Sequence, residues 1–310
     1  MRKSCPLIAL ALCSGVLSAE PSASGALSLS VSSLPEAQLA LTRSFAFPLP
    51  RGDHFLFSGN KLTADFTFNA SPLSLNAGAE AVLTPIALAQ IKAGGQAGSG
   101  WNIPGLGNGL ALNAPREENG VLYDALSGSP FEGLVWKVYG GGVLQFDLAA
   151  LLPGDWNHLL FQVYQEINYR ACTAAAPGQL WQYEAGSVLY RNGLNYRASY
   201  VAGYQLPASR FLNFAGFMAE MEIELRRDGQ DQGEADPSGP GYGSPEWKFS
   251  ALYNAGLSEK LGLTFILQLR TVPLYTEASR GLYYPERKLD GETPVLLTFY
   301  RAAAVFSWRL

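Results

Sequence analysis

The 310-residue sequence predicts an all-β chain that folds as one antiparallel up-and-down β-barrel of about twelve strands crossing a membrane. Three observations predict it. Apolar and polar residues alternate over segments of roughly 14 to 18 residues, longer than the ordinary globular strand. Charges gather on one parity of those segments, and short and long connections alternate between the segments of the C-terminal half.

Composition removes the competing classes. Hydrophobic residues make up 48% and charged residues 15%, with 33 Gly, 15 Tyr, 16 Phe and 6 Trp, which is too apolar and aromatic for a disordered or coiled-coil chain. Beyond the first twenty residues no apolar run reaches the ~18 residues of a membrane helix. The formal charge of -4 comes without a basic block, which argues against nucleic acid as a partner. Three Cys, two of them near the start, exclude a disulfide scaffold and a thiolate zinc cluster, so neither metal nor cofactor is expected.

The first element is an address. Met1, Arg2 and Lys3 give a positive start, Cys5 to Val16 is apolar, and Ser18-Ala19 offers small residues for cleavage, so residues 1–19 read as a secretory signal peptide and 20–310 as the barrel. Pro6 and Gly15 interrupt a stretch already too short for an anchor helix. Cys13 follows Leu12 where a lipobox needs a small residue, a poor match to lipidation. Removal of the leader leaves Cys172 as the single thiol.

Alternation then places strands at 26–33, 37–48, 60–70, 72–84, 86–98, 134–149, 157–173, 190–206, 209–226, 246–256, 261–274 and 295–310. In 209–226, Phe211, Phe217, Met221, Ile223 and Leu225 oppose Arg210, Glu220, Glu222, Glu224 and Arg226. In 261–274, Leu261, Leu263, Phe265, Leu267 and Leu269 oppose Thr264, Gln268 and Arg270. A soluble sandwich has shorter strands and turns its charges outward; strands this long exceed the ~9–11 residues a bilayer requires. Small residues such as Ala77, Ala79 and Ala81 blur the pattern over 26–98, so ten strands is the alternative count.

Short connections fall at Pro153-Gly154, Pro207-Ala208 and Ser258-Glu259, and long ones at 99–133, 174–189, 227–245 and 275–294. That parity places both chain ends on the rim opposite the long loops. All six Trp fall near strand ends or in flanking loops, the distribution of an interfacial aromatic girdle.

At the C-terminus, Tyr300, Ala302, Ala304, Phe306, Trp308 and Leu310 alternate with Arg301, Ala303, Ser307 and Arg309. This segment resembles the C-terminal strand signal of bacterial outer-membrane β-barrel proteins, with Leu310 where a terminal Phe is usual. The resemblance covers the whole mature chain as a porin-like architecture and reaches no single family. It implies residence in the bacterial outer membrane, contact with its lipids and recognition by the barrel-assembly machinery through the last strand.

With the apolar parity facing lipid, the opposite parity collects twelve basic and eight acidic groups in the lumen. Arg170, Arg197, Arg270 and Arg301 sit away from the rims, with Glu166, Glu220, Glu222, Lys137 and Lys248 as further pore-lining candidates. Guanidinium groups attract anions, so the expected function is a passive channel for small polar solutes or ions with weak anion preference. The acidic loop 227–245 opposes that field. A wall of internal ion pairs is the other reading; a tight turn at Pro207-Ala208 would set Arg191 opposite Glu224 and Arg197 diagonal to Glu220. A plugged structural or adhesive barrel with ligand-binding loops is the alternative function.

An enzyme is not expected. Only His54 and His158 are present, both near the short turns, and neither has the Ser two residues on that a resemblance to the outer-membrane phospholipase would require. A His158–Asp147 pair across one hairpin is possible as a rim contact and lacks a matched nucleophile. Gly140-Gly141-Gly142 is no phosphate loop and reads as a close-packed place in a strand.

Overall fold

The computed structural model describes residues 22–34, 36–49, 59–152, 154, 156, 158–184, 189–206, 212–227 and 244–310. The signal peptide, His54, Pro153, the Pro207-Ala208 turn, Arg210 and the acidic loop at 228–243 lie outside the described residues.

Twelve strands form one closed antiparallel ring: β1 (Ser22–Ser32), β2 (Ala37–Pro48), β3 (Lys61–Ala70), β4 (Ser74–Ile86), β5 (Ala89–Gly100), β6 (Val135–Asp147), β7 (Leu159–Cys172), β8 (Gly193–Gln205), β9 (Phe214–Arg227), β10 (Glu246–Gly256), β11 (Leu261–Pro273) and β12 (Val295–Arg309). Each strand pairs with its sequence neighbours, and β12 returns to β1. Twelve, not ten, is the count, and every expected strand overlaps an observed one. The strand expected at 190–206 begins three residues later, because Tyr190 bridges to Trp181 in a loop instead.

Closure is what makes such a sheet tolerable in lipid, since it leaves no unpaired edge of N–H and C=O groups. Side chains then alternate between outside and inside. The outside is greasy: Phe217, Leu144, Phe299, Ile91 and Ile167 are all more than half exposed on the outer wall. A slip of one residue would turn charges to the lipid at about 2–4 kcal/mol per Arg or Lys near the bilayer midplane, so register is strongly fixed.

Two bulges alter the expected parity. One lies between Leu194 and Asn195 and sets Arg226 opposite Leu194 on the outer parity, so Arg226 leaves the lumen set. The other lies between Gln268 and Leu269 and leaves Tyr300 without a register partner, between Arg301 and Phe299. Tyr300 therefore joins Arg301 on the inner side, where sequence alternation had put it with the lipid-facing residues.

Ser22 and Leu310 lie on one rim, and the strand ends that the long connections join, Gly100 and Val135, Cys172 and Gly193, Arg227 and Glu246, and Pro273 and Val295, lie on the other.

Candidate functional site

The inner wall carries a belt of ion pairs. On one side Glu166, 3% exposed, meets Lys137 Nζ at 3.2 Å and accepts hydrogen bonds from Tyr164 OH at 2.5 Å and Asn168 Nδ2 at 3.0 Å. Register explains the cluster: Lys137 stands opposite Arg170, and Glu166 opposite Arg197. Next to it Glu80 accepts from Tyr139 OH at 2.8 Å and pairs with Lys92 at 3.5 Å. A Cβ at Gly94 would lie 2.7 Å from the Tyr139 hydroxyl, so glycine there is the space through which the ring reaches Glu80.

Along the adjoining strands, Arg197 pairs with Glu220 at 2.5 Å, Arg170 with Glu222 at 2.8 Å and Lys248 with Glu246 at 3.6 Å. Gln268 donates to Glu220 at 3.4 Å and accepts from Arg301 Nε at 3.2 Å, while Arg301 Nη1 reaches Glu36 at 3.2 Å. The Arg270 guanidinium lies 4.5 Å from the centre of the Tyr300 ring. Among the expected lumen residues, Arg170, Arg197, Arg301, Glu166, Glu220, Glu222, Lys137 and Lys248 are joined in these pairs, and Arg270 packs on the Tyr300 ring. Arg197 lies diagonal to Glu220, as the sequence suggested, and the register sets it directly opposite Glu222. Arg191 is not: Asn195 takes the place opposite Glu224, and Arg191 lies below the loops with its guanidinium 5.9 Å from the Tyr284 ring.

Sequence reasoning missed two features of the wall. Tyr139, Tyr164, Asn168 and Gln268, all on the polar parity, serve the belt as donors or acceptors. The same parity also carries apolar residues: Val201 is paired with Met218 and Leu252 with Ile266, so four successive strands, β8 to β11, present an aliphatic sector toward the chain-end rim.

The described residues of 101–134, 173–192 and 274–294 fold over the opposite mouth as a lid. Leu110–Asn113 pairs with Leu126–Ser127 on one side and with Trp181–Tyr183 on the other, making a three-stranded sheet. Beneath it Leu110, Val135, Cys172 and Trp181 form a buried core. Trp181 is fully buried and donates from Nε1 to Asn192 Oδ1 at 3.0 Å, so it leaves the expected aromatic girdle; Trp136, Trp247 and Trp308 stand near strand ends as expected.

Asp124 ties in the third loop. Its carboxylate accepts from Asn113 Nδ2 at 2.8 Å and the Tyr284 N–H at 3.0 Å, and it pairs with Arg287. Glu184, at φ 61°, latches the lid to the wall: its Oε1 accepts from Ser74 Oγ at 3.0 Å and Asn76 Nδ2 at 3.3 Å. Burial pushes the Glu184 carboxyl up, Glu36 adds to the rise, and the Ser74 and Asn76 bonds oppose it.

Between lid and belt lies a cavity of about 430 Å³. Five basic side chains line it, Arg170, Arg191, Lys248, Arg270 and Arg287, against Glu222, Glu224 and Glu246. Burial holds the Tyr190 and Tyr275 hydroxyls up at about 12, so both are protonated donors at neutral pH. At the other rim His158 Nδ1 and Asp147 Oδ2 are 2.7 Å apart. Asp147 also accepts from the Ala149 N–H and caps the short 3-10 turn Leu148–Ala150, which accounts for the pair as a rim contact.

A closed, even-numbered antiparallel barrel with an apolar outer wall and ion pairs inside is an outer-membrane β-barrel, the one sheet architecture that satisfies every backbone group within lipid. No protein-family profile matches the chain, and no curated protein matches it in sequence. Solved structures that it is similar to include the NanC porin, at TM-score 0.40 and 7% identity over 92% of this chain and 98% of that one. The β domain of the Bordetella autotransporter BrkA gives 0.40 and 10% over 93% and 98%. The translocator domain of the autotransporter NalP from Neisseria meningitidis gives 0.40 and 8% over 92% and 86%.

Proposed function

We propose that the protein is a narrow outer-membrane channel for small polar solutes or ions with a modest preference for anions. Residues 1–19 export it, and the last strand presents it to the assembly machinery. The observation that carries the reading is the cavity between lid and belt, where five basic groups face three acidic ones next to a ring of wall charges. In a confined, low-dielectric space such a surplus attracts anions, and Arg is suited to the task because it stays charged and is weakly hydrated.

Conductance of the refolded barrel in a planar bilayer tests this. Small discrete steps are expected, with a reversal potential in a salt gradient on the anion side. A correctly folded barrel that never conducts would overturn the channel. The packed core around Trp181 favours one other reading, a plugged barrel whose loops bind a ligand at the surface, and the same silent bilayer would support it.

A further inference from the structure

We propose that the cavity between lid and belt is a binding site for a compact organic monoacid, one carboxylate joined to an apolar body. The inference deepens the channel reading and rests on it for passage; binding stands without conduction. The cavity is of ligand size, since small-molecule sites run at about 300–1,000 Å³. Its charge selects the valence. Two surplus positive groups favour an anion, while Glu222, Glu224 and Glu246 on the same wall repel a polyanion such as inorganic phosphate.

Its basic groups are preorganised. The Arg170 guanidinium lies 4.4 Å from the Tyr190 ring centre, that of Arg270 4.5 Å from Tyr300, and that of Arg287 5.2 Å from Tyr275. Stacking engages the guanidinium face and holds each cation in place, with little side-chain freedom left to lose on binding.

The remaining lining calls for an apolar body. Leu180, Leu189, Val272, Leu289 and Pro294 give the cavity its apolar surface, beside the rings of Tyr190, Tyr275 and Tyr284 and the polar Asn195, Ser244 and Thr271. Past the belt, the aliphatic sector of Val201, Met218, Leu252 and Ile266 continues the same character on the inner wall. A fully hydrated ion or sugar gains nothing from those surfaces; an aromatic or branched acid buries against them.

Benzoate is the probe, titrated calorimetrically into the refolded full-length barrel in detergent, with acetate, benzyl alcohol and inorganic phosphate as comparators. Saturable benzoate binding is expected, with each comparator weaker by about tenfold or more. Arg270→Gln and, separately, Leu289→Asn should each weaken benzoate about tenfold while migrating on an unboiled gel as folded barrels. Should either fail to fold, Lys248→Gln takes its place. No benzoate binding by folded protein overturns the proposal, as do equal binding of acetate or phosphate, equal binding of benzyl alcohol, and indifference to the variants. A conducting barrel that ignores benzoate removes this site and keeps the channel; a silent barrel that binds benzoate does the reverse.

Discussion

Replacement of Trp181 by alanine should open the lid and leave the barrel standing. The indole is fully buried against Leu110, Val135 and Cys172, its ring centre is 5.2 Å from that of Tyr190, and its N–H is spent on Asn192. Truncation of such a side chain costs about 3–5 kcal/mol, and at 1.4 kcal/mol per tenfold the open lid gains roughly a hundredfold to a few thousandfold in population. Asn192 Oδ1 keeps a partner in the Cys172 N–H at 2.8 Å, so no orphaned acceptor adds to the loss. The ladders of β1 to β12 take no part in this core beyond Val135 and Cys172. Limited proteolysis should therefore cut 101–134 and 173–192 far faster in Trp181→Ala, while the unboiled protein still migrates as a folded barrel. Unchanged cleavage in a folded variant would refute the claim that this core holds the lid.

Three further outcomes follow from the wall and the latch. Glu166→Ala strands Lys137 among Tyr139 and Arg170 and should cost about 3–5 kcal/mol, read as a lower temperature of loss of the compact gel form; an unaltered temperature would mean the pair is not buried in effect. Because burial raises the Glu184 carboxyl in the closed lid above its free value, the latch is at full strength when that group is protonated and weakens as pH rises through the raised value. Amide exchange around Trp181 should quicken over that window in the wild type and stay flat in Glu184→Gln; identical profiles would sink the latch. Arg301→Gln removes a lumen cation and leaves Glu36 uncompensated, so the reversal potential should move toward cations, and a fixed potential in a conducting barrel would reject a pore-lining Arg301.

The barrel was legible because each strand has only two faces and lipid accepts one kind of residue. Leu261 to Leu269 against Thr264, Gln268 and Arg270 needs no tertiary knowledge to orient. The lid was not legible for the opposite reason: Leu110–Asn113 meets Trp181–Tyr183 across a long sequence separation, in segments too short to show a period. Trp181 and Trp136 look alike in sequence, and only the fold sends one to the core and the other to the wall. Tyr300 and Arg226 were misplaced by bulges, each an extra residue that reverses the parity beyond it. Inward Val201 and Ile266 escaped notice because polar neighbours dominated their parity.

The ring is sealed between its first and last strands, along Ala26↔Arg309 to Ser32↔Ala303, with the Leu310 N–H donating to the Gly25 carbonyl. Biogenesis inherits an order from that seam. Eleven strands synthesised in turn are still an open ribbon with two hungry margins, and no partial product is safe in water or in lipid. The newborn chain must be kept from pairing with its neighbours until β12 arrives, and a cut anywhere in that strand costs the whole vessel, not merely its last stave.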